Sequence, residues 1–521
     1  MPAAPARRPH RSLFAALFCA LLLLAGCAQL PPLDGRPPSQ LEADTGATRL
    51  GRGVQAAAAG HAPGESGVFL LEQGRDAFAT RVLLAEAAER TLDVQYYIWR
   101  DDMSGRLLFD ALRRAADRGV RVRLLLDDLG SSGLDAVLAA LDAHPRIEVR
   151  LFNPFVQRQL KPLGFLTDFM RSNRRMHNKS FTADNQATVV GGRNVGDEYF
   201  GAEVDTLFVD LDVLAIGPVV QAVSEDFDRY WASGSAYPLA LLLQGSALLA
   251  DAAPPGPPVL DALPERTIAY LDAVARSSFV AELVAARLPL HWASVELVSD
   301  DPAKGLGLAA DEDLLFARMR RLVDTPAESL HLVSPYFVPT ARGAAMFGAL
   351  AARGVEVAVL TNALEATDVA VVHAGYIRWR EPLLRAGVRL YEMRRQPGPP
   401  AAGEKRHVGS SSAESLHAKT FVVDRRQLFV GSFNFDPRSA RLNTELGFVI
   451  DSPALAAQLD ERLRTQARQR SYRLQLGPQG QLQWLDSRAE PPLVLEQEPG
   501  TSLWQRLGVR ALSWLPIDWL L

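Results

Sequence analysis

The chain has 521 residues, and its hydrophobic content of 48% and charged content of 22% are typical of packed globular proteins, which excludes disordered and fibrous classes. The length predicts two or three globular units. The 56 Lys and Arg residues against 60 Asp and Glu residues give a net charge of −4, so we expect no nucleic-acid partner. Two cysteines exclude a disulfide framework and a cysteine-based zinc site.

Residues 1–27 predict a lipoprotein signal peptide. Basic residues at 7–11 precede an apolar run over 13–24, which is too short to span a bilayer as a helix. The sequence Leu24-Ala25-Gly26-Cys27 resembles the bacterial lipobox, in which the cysteine is lipidated. Cys27 is therefore the expected lipidation site, and an uncleaved buried helix is the alternative.

The segment after the lipobox predicts attachment to a membrane rather than insertion across it. Residues 28–65 contain a stretch rich in Pro, Gly and Ala and are predicted to be a tether. No later segment reaches 18 consecutive apolar residues, so we expect a lipid-anchored protein of the bacterial envelope that faces the periplasm. The sequence leaves open whether the inner or the outer membrane holds the anchor.

The rest of the chain is organised by an internal duplication. The helical pattern and apolar strand of residues 107–127 recur at 343–360, where Gly354 lies 235 residues after Gly119. A second repeated pattern shows an offset of 240 residues. The nearly constant offset predicts two duplicated α/β lobes, each with a mixed, largely parallel sheet flanked by helices, around one central active-site cleft.

Composition predicts the boundaries of these lobes. A Pro-rich stretch at 254–258 indicates a linker. The predicted units are an N-terminal lobe at 66–250, a linker at 251–270, a C-terminal lobe at 271–475 and an extension at 476–521. The extension ends in a Trp-rich tail that favours a membrane interface, with packing onto the body as the alternative. Residues 396–412 predict either a mobile loop at the rim of the cleft or a plain surface insertion.

The second repeated pattern is HxKxxxxD, whose His, Lys and Asp side chains are candidates for catalysis and for binding an anion. The two copies contain His177, Lys179 and Asp184, and His417, Lys419 and Asp424. Each copy is followed 17 residues after its His by an Asn, and 28 residues after it by an acid. These residues are Asn194 and Asp205, and Asn434 and Glu445. Only five of the basic residues are lysines, so a chance origin of both copies is excluded.

These residue types suit chemistry on a phosphate ester. His177 and Lys179, two residues apart on a predicted strand, leave the same face of the sheet. Two ammonium groups and two Asn amides form a donor-rich cradle for a phosphate. One His with an acid partner can attack phosphorus while the other protonates the leaving oxygen. We expect no metal and no cofactor, because no carboxylate-rich two-metal pattern accompanies the motifs.

The duplicated motif resembles the signature of the phospholipase D superfamily, over residues 67–451. The resemblance implies a double displacement through a phosphohistidine, with His177 as nucleophile and His417 as general acid and base. It implies that the two Lys and two Asn residues bind the phosphate and that Asp205 and Glu445 orient the imidazoles, although family members usually have Glu where Asp205 stands. Asp184 and Asp424 complete the motif and are expected to brace strands.

Stretches around both motifs, and the C-terminal tail, look like those of bacterial C-type cardiolipin synthases. The relevant segments are 175–181, 191–200, 431–439 and 503–521. The resemblance implies a phosphatidyltransferase whose partners are phosphatidylglycerol, with phosphatidylethanolamine as a candidate second lipid, and the membrane surface. A hydrolytic phospholipase D is the alternative, and a nuclease is less favoured because of the net charge. The sequence does not identify the oligomeric state, the acyl-chain preference or a small helper protein.

Overall fold

The computed structural model describes residues 30–158, 161–202, 208–250, 264–397 and 413–521. The signal peptide, Cys27, Asp205 and most of the predicted rim loop and Pro-rich linker therefore lie outside the described residues. The strands of the described part are β1 (Glu65–Leu71), β2 (Thr91–Tyr96), β3 (Arg121–Asp127), β4 (Ile147–Phe152), β5 (Ser180–Ala183), β6 (Ala187–Gly191), β7 (Phe208–Val209), β8 (Asp212–Ile216), β9 (Ala236–Pro238), β10 (His291–Ser299), β11 (Ser329–Val333), β12 (Glu356–Asn362), β13 (Arg389–Met393), β14 (Gln396–Pro397), β15 (Ala413–Leu416), β16 (Thr420–Val423), β17 (Gln427–Gly431), β18 (Leu446–Asp451), β19 (Ser471–Leu476), β20 (Leu482–Asp486) and β21 (Leu493–Leu495).

The α-helices are placed between these strands. They are α1 (Arg49–Ala58), α2 (Gly74–Ala87), α3 (Met103–Asp117), α4 (Asp135–Asp142), α5 (Lys161–Thr167), α6 (Phe169–Ser172), α7 (Asp197–Phe200), α8 (Pro218–Ala232), α9 (Leu239–Leu242), α10 (Ala247–Ala250), α11 (Glu265–Ala275), α12 (Ser278–Val284), α13 (Leu315–Asp324), α14 (Thr340–Ala352), α15 (Ala370–Ile377), α16 (Arg380–Arg385), α17 (Pro437–Arg441), α18 (Pro453–Arg470) and α19 (Leu503–Leu512).

The strands repeat one topology in two lobes. The first lobe has the order β1-β8-β6-β5-β2-β3-β4-β9, and the second has β10-β18-β17-β16-β11-β12-β13-β19-β20-β21. β1 and β10 pair with each other, so the two lobes form one continuous sheet. The duplicated α/β fold predicted from the sequence is confirmed.

The sheets are more antiparallel than the sequence predicts. Parallel pairing joins β2, β3 and β4 in the first lobe and β11, β12 and β13 in the second, together with the short β7–β15 pair. The other pairings between named strands are antiparallel, because the motif strand of each lobe returns through a hairpin rather than through a helical crossover. The apolar run in β3 is nevertheless buried completely, as expected for a parallel central strand.

Three hydrophobic clusters position the cleft. One lies between the first sheet and α2, α3 and α4, and a second is its counterpart in the second lobe. The third contains side chains from β6 and β8 together with β16, β17 and β18, so it belongs to both lobes. This shared core fixes one lobe against the other and holds the two motif strands on either side of one cleft.

The prediction of a tether at residues 28–65 needs correction over much of this range, because residues from Arg36 onwards pack on the first lobe. Arg36 donates to the carbonyl of Ser233 at 2.6 Å, and the Leu41 amide donates to Asp228 at 2.6 Å. Helix α1 follows, with the Thr48 hydroxyl accepting from the Gly51 amide at its N-terminus. Composition alone did not reveal these contacts, which are made by backbone and polar groups.

The predicted boundary between the lobes is also corrected. Residues 265–284 form α11 and α12 instead of a linker and the start of the second lobe. Tyr270 packs edge-on against Phe78 with ring centroids 5.6 Å apart, and Phe279 lies 5.7 Å from Phe69. Both helices therefore belong to the core of the first lobe, and the second lobe begins near β10.

The predicted extension divides into two parts. Residues 476–495 continue the second sheet through β20 and β21, so they belong to the C-terminal lobe. The last segment forms α19 and a short 3-10 turn at Asp518–Leu520. Among the described residues, no helix combines the length and the apolar character needed to cross a bilayer.

Candidate active site

Each motif histidine is held by backbone of the opposite lobe. The His177 amide donates to the carbonyl of Thr444 at 2.9 Å, and the His417 amide donates to the carbonyl of Val209 at 2.9 Å. Each His precedes, rather than belongs to, its motif strand β5 or β16. The two lobes therefore complete each other's motifs, and neither His is placed by its own lobe alone.

Each imidazole also meets a carboxylate from the opposite lobe. His177 Nδ1 lies 2.8 Å from Oε2 of Glu445, and His417 Nδ1 lies 2.5 Å from Oδ2 of Asp210. Both carboxylates are fully buried or nearly so. Since an ionised carboxylate accepts from Nδ1–H, this contact leaves the lone pair on Nε2, which is the atom needed for attack or proton transfer.

The sheet register identifies Asp210 as the counterpart of Glu445. Gly191 pairs with Asp212 in the first lobe, and Gly431 pairs with Gly447 in the second, so each acid lies two residues before the paired position. The chain between the paired positions is five residues longer in the first lobe, which displaces the equivalent acid from 205 to 210. Asp210 was not predicted from the sequence, because equal spacing after the two motifs points to Asp205, which lies outside the described residues.

The residue that follows Gly191 in the first lobe, and Gly431 in the second, suits the acid that contacts the histidine. A Cβ on Gly192 would lie 2.1 Å from Oδ1 of Asp210, so a side chain at this position would displace the carboxylate. The equivalent residue in the second lobe is Ser432, whose hydroxyl donates to Oε2 of Glu445 at 2.5 Å. The carboxylate of Asp210 therefore fits because residue 192 has no side chain. Glu445 is held in place by an additional hydrogen bond from Ser432.

The lysines and asparagines lie beside the histidines. Lys179 Nζ donates to the carbonyl of His177 at 2.6 Å, and Lys419 Nζ lies 3.0 Å from Nδ1 of His417. Both ammonium groups are almost fully buried, and no described carboxylate lies within ion-pair distance of either. Buried lysine side chains of this kind are suited to an anionic ligand, whose charge favours their protonated form.

The two asparagine amides differ in their partners. Asn194 Nδ2 donates to the Tyr199 hydroxyl at 3.0 Å, and its Oδ1 accepts from the Ile98 amide at 3.2 Å. Asn434 Oδ1 is buried without a hydrogen-bond partner among the described residues. The Asn434 amide, which lines the cavity, is therefore less constrained by neighbouring groups than the Asn194 amide.

Burial dominates the ionisation of the basic groups. Burial, together with Lys179 and Lys419, lowers the pKa of His177 well below its usual range. Burial and the Lys419 ammonium lower the pKa of His417 to about 4, although Asp210 opposes the effect. Burial lowers the pKa of Lys179 well below its usual range and that of Lys419 to about 8. At neutral pH both imidazoles of the free protein are therefore uncharged.

The two carboxylates differ in their ionisation. Burial raises the pKa of Glu445 to about 7, against the opposing effect of Lys179. Burial acts in the same direction on Asp210, but the neighbouring His417 and Lys419 outweigh it and hold the pKa of Asp210 well below its usual range. The imidazole of His417 thus faces the more firmly ionised carboxylate, which makes it the better carrier of a proton.

The imidazoles open onto one cavity of about 1000 Å³. His177, Asn194, His417 and Asn434 line it, with Lys179 and Lys419 just behind the histidines. Aromatic and apolar side chains form much of the rest of its wall: Tyr97, Tyr199, Tyr336, Leu129, Phe165, Phe169, Val369, Val371, Val372, Ile517, Leu520 and Leu521. The Tyr97 ring packs edge-on against His177 and the Tyr199 ring against His417, with centroids 5.0 and 5.2 Å apart.

The motif aspartates do not line this cavity. Asp184 accepts hydrogen bonds from the backbone amides of residues 89–91, and Asp424 accepts from those of 327–329. Each carboxylate thereby ties the hairpin that carries a motif to the start of the neighbouring strand, β2 or β11. The geometry is that of a structural brace, as the sequence analysis expected.

Comparisons with known proteins agree with this arrangement. The family model "Cardiolipin synthase, PLD-like domain" matches residues 82–231 and 319–466. The chain is 53% identical to cardiolipin synthase C of Escherichia coli over 88% of this chain and 97% of that protein. It is 29% identical to cardiolipin synthase A of Pseudomonas entomophila over 76% of this chain and 68% of that protein. The crystal structure of a phosphatidylserine synthase from Haemophilus influenzae shares the fold, with a TM-score of 0.55, 15% identity and coverage of 91% of this chain and 100% of that one. The chain therefore belongs to the cardiolipin synthase family of phospholipase D-like proteins.

Proposed function

We propose that the protein is a phosphatidyltransferase of the cardiolipin synthase type, which moves a phosphatidyl group between phospholipids through a phosphohistidine. One observation carries the proposal: two histidines, each backed by a carboxylate of the opposite lobe, line a single cavity with buried lysines beside them. The 53% identity to the Escherichia coli enzyme supports this choice among the activities open to the fold.

The first step of the proposed reaction breaks the bond to the head-group alcohol. Nε2 of His177 attacks phosphorus, a P–N bond forms as the P–O bond to the alcohol breaks, and the alcohol oxygen takes a proton from His417. In the second step His417 takes the proton of an acceptor hydroxyl. The acceptor oxygen then forms a P–O bond to phosphorus while the P–N bond breaks.

The different environments of the two histidines support this division of roles. The pKa of His177 lies well below its usual range, which keeps its imidazole neutral and nucleophilic. His417 faces the firmly ionised Asp210, which favours the imidazolium form once a phosphate anion has entered the cavity. Lys179, Lys419, Asn194 and Asn434 would bind that anion, and its charge would raise the depressed pKa of both lysines.

The proposed substrates are phosphatidylglycerol as donor and acceptor, with phosphatidylethanolamine as a second candidate donor. Hydrolysis by water competes for the same phosphohistidine, and the aromatic and apolar part of the cavity wall, which suits a lipid acceptor, supports transfer. The test uses purified full-length protein with labelled phosphatidylglycerol, with and without phosphatidylethanolamine. Cardiolipin as the main product supports transfer, whereas phosphatidic acid alone would establish a hydrolase.

Chelators are expected to leave the activity unchanged. The described residues contain no cluster of three or more His, Cys, Asp or Glu side chains that could hold a metal ion, and the buried lysines can neutralise the phosphate. The measurement is turnover before and after dialysis against EDTA. Inhibition that added divalent metal reverses would contradict the proposed chemistry.

Replacing Cys27 by Ser is expected to lower the membrane-bound fraction of the protein without lowering the specific activity of what remains folded. The reason is that Cys27 carries the proposed lipid anchor on the periplasmic side, whereas the site is built by residues after 65. The measurement is fractionation of cell envelopes, with Cys19→Ser as the matched control. Equal fractionation of the two variants would refute anchoring through Cys27.

A further inference from the structure

The last residues of the chain fold back onto the second lobe and reach the catalytic cavity. Helix α19 begins at a capping box formed by Ser502 and Gln505, and its buried Val509 packs with Leu364 and Ala374. Ala374 belongs to α15, a helix that also supplies cavity-lining valines. One side of α15 thus faces the cavity, and another supports α19.

The segment after α19 is fixed to the second motif region. The Arg438 amide donates to the carbonyl of Leu521 at 2.6 Å, and Arg438 Nε donates to the carbonyl of Leu520 at 3.0 Å. Leu521 is 5% exposed and fits against Gly375, where a Cβ would lie only 2.6 Å from its Cδ1 atom. Ile517, Leu520 and Leu521 therefore form a fitted wall of the cavity that contains His177 and His417.

The outer face of α19 and of the segment that follows it is unusually apolar. Trp504 is 80% exposed and Trp514 78%, and Trp519 is 52% exposed. Eight of the fifteen large hydrophobic side chains that are exposed in the described part of the chain lie in two segments, 169–170 and 503–519. We name these two segments the aromatic rim.

The aromatic rim has members from both lobes, and part of it borders the cavity. The ring of Phe169, from the first lobe, lies edge-on to Trp519 with centroids 6.3 Å apart. Phe169 both lines the cavity and is 36% exposed, so it marks the mouth. Large exposed apolar patches of this kind identify interaction surfaces.

The chemistry of the aromatic rim selects one occupant. Trp side chains prefer the boundary between lipid head groups and acyl chains, and Arg506 and Arg510 give α19 two positive charges and no acid. The acid that follows, Asp518, is paired with Arg378. Apolar and aromatic groups with uncompensated positive charge match a bilayer that contains anionic phospholipid.

We propose that the aromatic rim is the surface that docks on the bilayer, placing the mouth of the catalytic cavity at the level from which a phospholipid can enter directly. The inference rests on the proposed function for the identity of the lipid that enters, but the docking itself can be measured without turnover. In this arrangement residues 503–521 supply both side chains that touch the bilayer and side chains that line the cavity.

The test uses the rarity of cysteine in the chain. Leu507→Cys and Val284→Cys in the full-length protein each add one thiol to the two native cysteines, and each is labelled with a polarity-sensitive nitrobenzoxadiazole dye. Leu507 belongs to the rim; Val284 is 68% exposed on α12, which contributes no residue to the cavity, and is the matched control. Unmodified protein gives the background from Cys19 and Cys27.

On vesicles containing phosphatidylglycerol, the dye at 507 is expected to shift to shorter emission wavelengths and to be quenched by nitroxide-labelled lipid, whereas the dye at 284 changes little. Equal responses at 507 and 284 would overturn the proposal. A response at 507 that depends on protein concentration and not on vesicles would identify a second copy of the chain as the occupant, and would also overturn it.

A second readout connects docking with catalysis. In the triple variant Trp504→Ser, Trp514→Ser and Trp519→Ser, the ratio of turnover on vesicles to turnover on monomeric short-chain phosphatidylglycerol is expected to fall about tenfold or more, since three interfacial anchors are lost. An unchanged ratio would overturn the proposal. If the unmodified protein turned over neither substrate, the proposed function would fail, and the labelling result would still decide whether the rim docks.

Discussion

Replacing either His177 or His417 by alanine is expected to reduce phosphatidyl transfer by at least about 10³-fold, because a nucleophile and a general acid are both required. The two variants should fail at different steps. His177→Ala removes the atom that binds phosphorus, so no radioactivity from labelled lipid should be retained on the protein. His417→Ala keeps that atom but leaves the alcohol without a proton donor and the acceptor without a base.

The measurement combines steady-state turnover with acid-quenched labelling of the protein. The matched control is His331→Gln, since His331 is also buried and also contacts a carboxylate, that of Asp460, but lies outside the cavity. Its substitution should lower thermal stability and leave kcat close to that of the unmodified protein. Activity of His177→Ala or His417→Ala within tenfold of this control would refute the two-histidine mechanism.

The fold could be predicted from the sequence because both lobes contain the same pattern of strands, helices and motif residues. Apolar strands such as β3 and the recurrence of HxKxxxxD at a nearly constant offset were sufficient for two α/β lobes with one shared site. The limited extent of parallel pairing was not predictable, since apolar runs indicate burial and do not indicate strand direction. The contacts of residues 36–58 were missed because they depend on polar partners nearly two hundred residues away, such as Ser233.

The active site was predictable for residues inside the motif and less so beyond it. His177 and His417 line one cavity, and their lysines lie beside them, as the motif spacing indicates. The pairing of each His with an acid of the other lobe is a long-range contact that no local pattern contains. The Trp-rich tail was expected at a membrane interface or on the protein body, but its role as a wall of the cavity depends on Arg438 and Gly375, which are remote in sequence.

Asp210, rather than Asp205, is the acid that we expect to orient His417, and its replacement should strongly lower kcat. Sequence spacing favours Asp205, whereas the sheet register and the 2.5 Å contact favour Asp210. Asp210→Asn is expected to lower kcat about 10²- to 10⁴-fold, because an amide can orient the imidazole in the wrong tautomer and no longer stabilises its positive form. Asp205→Asn is the matched control and should leave kcat unchanged. The reverse result would restore the assignment based on spacing.

The pH dependence distinguishes loss of positioning from simple loss of folding. Asp210 raises the pKa of His417 against burial and Lys419, and the balance brings that pKa to about 4 in the free protein. Removing the negative charge lowers the pKa further, so a lower pH is needed to protonate the general acid. The limb of the rate profile that falls with rising pH should therefore move to lower pH in Asp210→Asn, whereas Asp210→Glu should keep it near its original position. A uniform loss of rate at every pH, in a variant whose thermal stability matches that of the unmodified protein, would remove Asp210 from the mechanism.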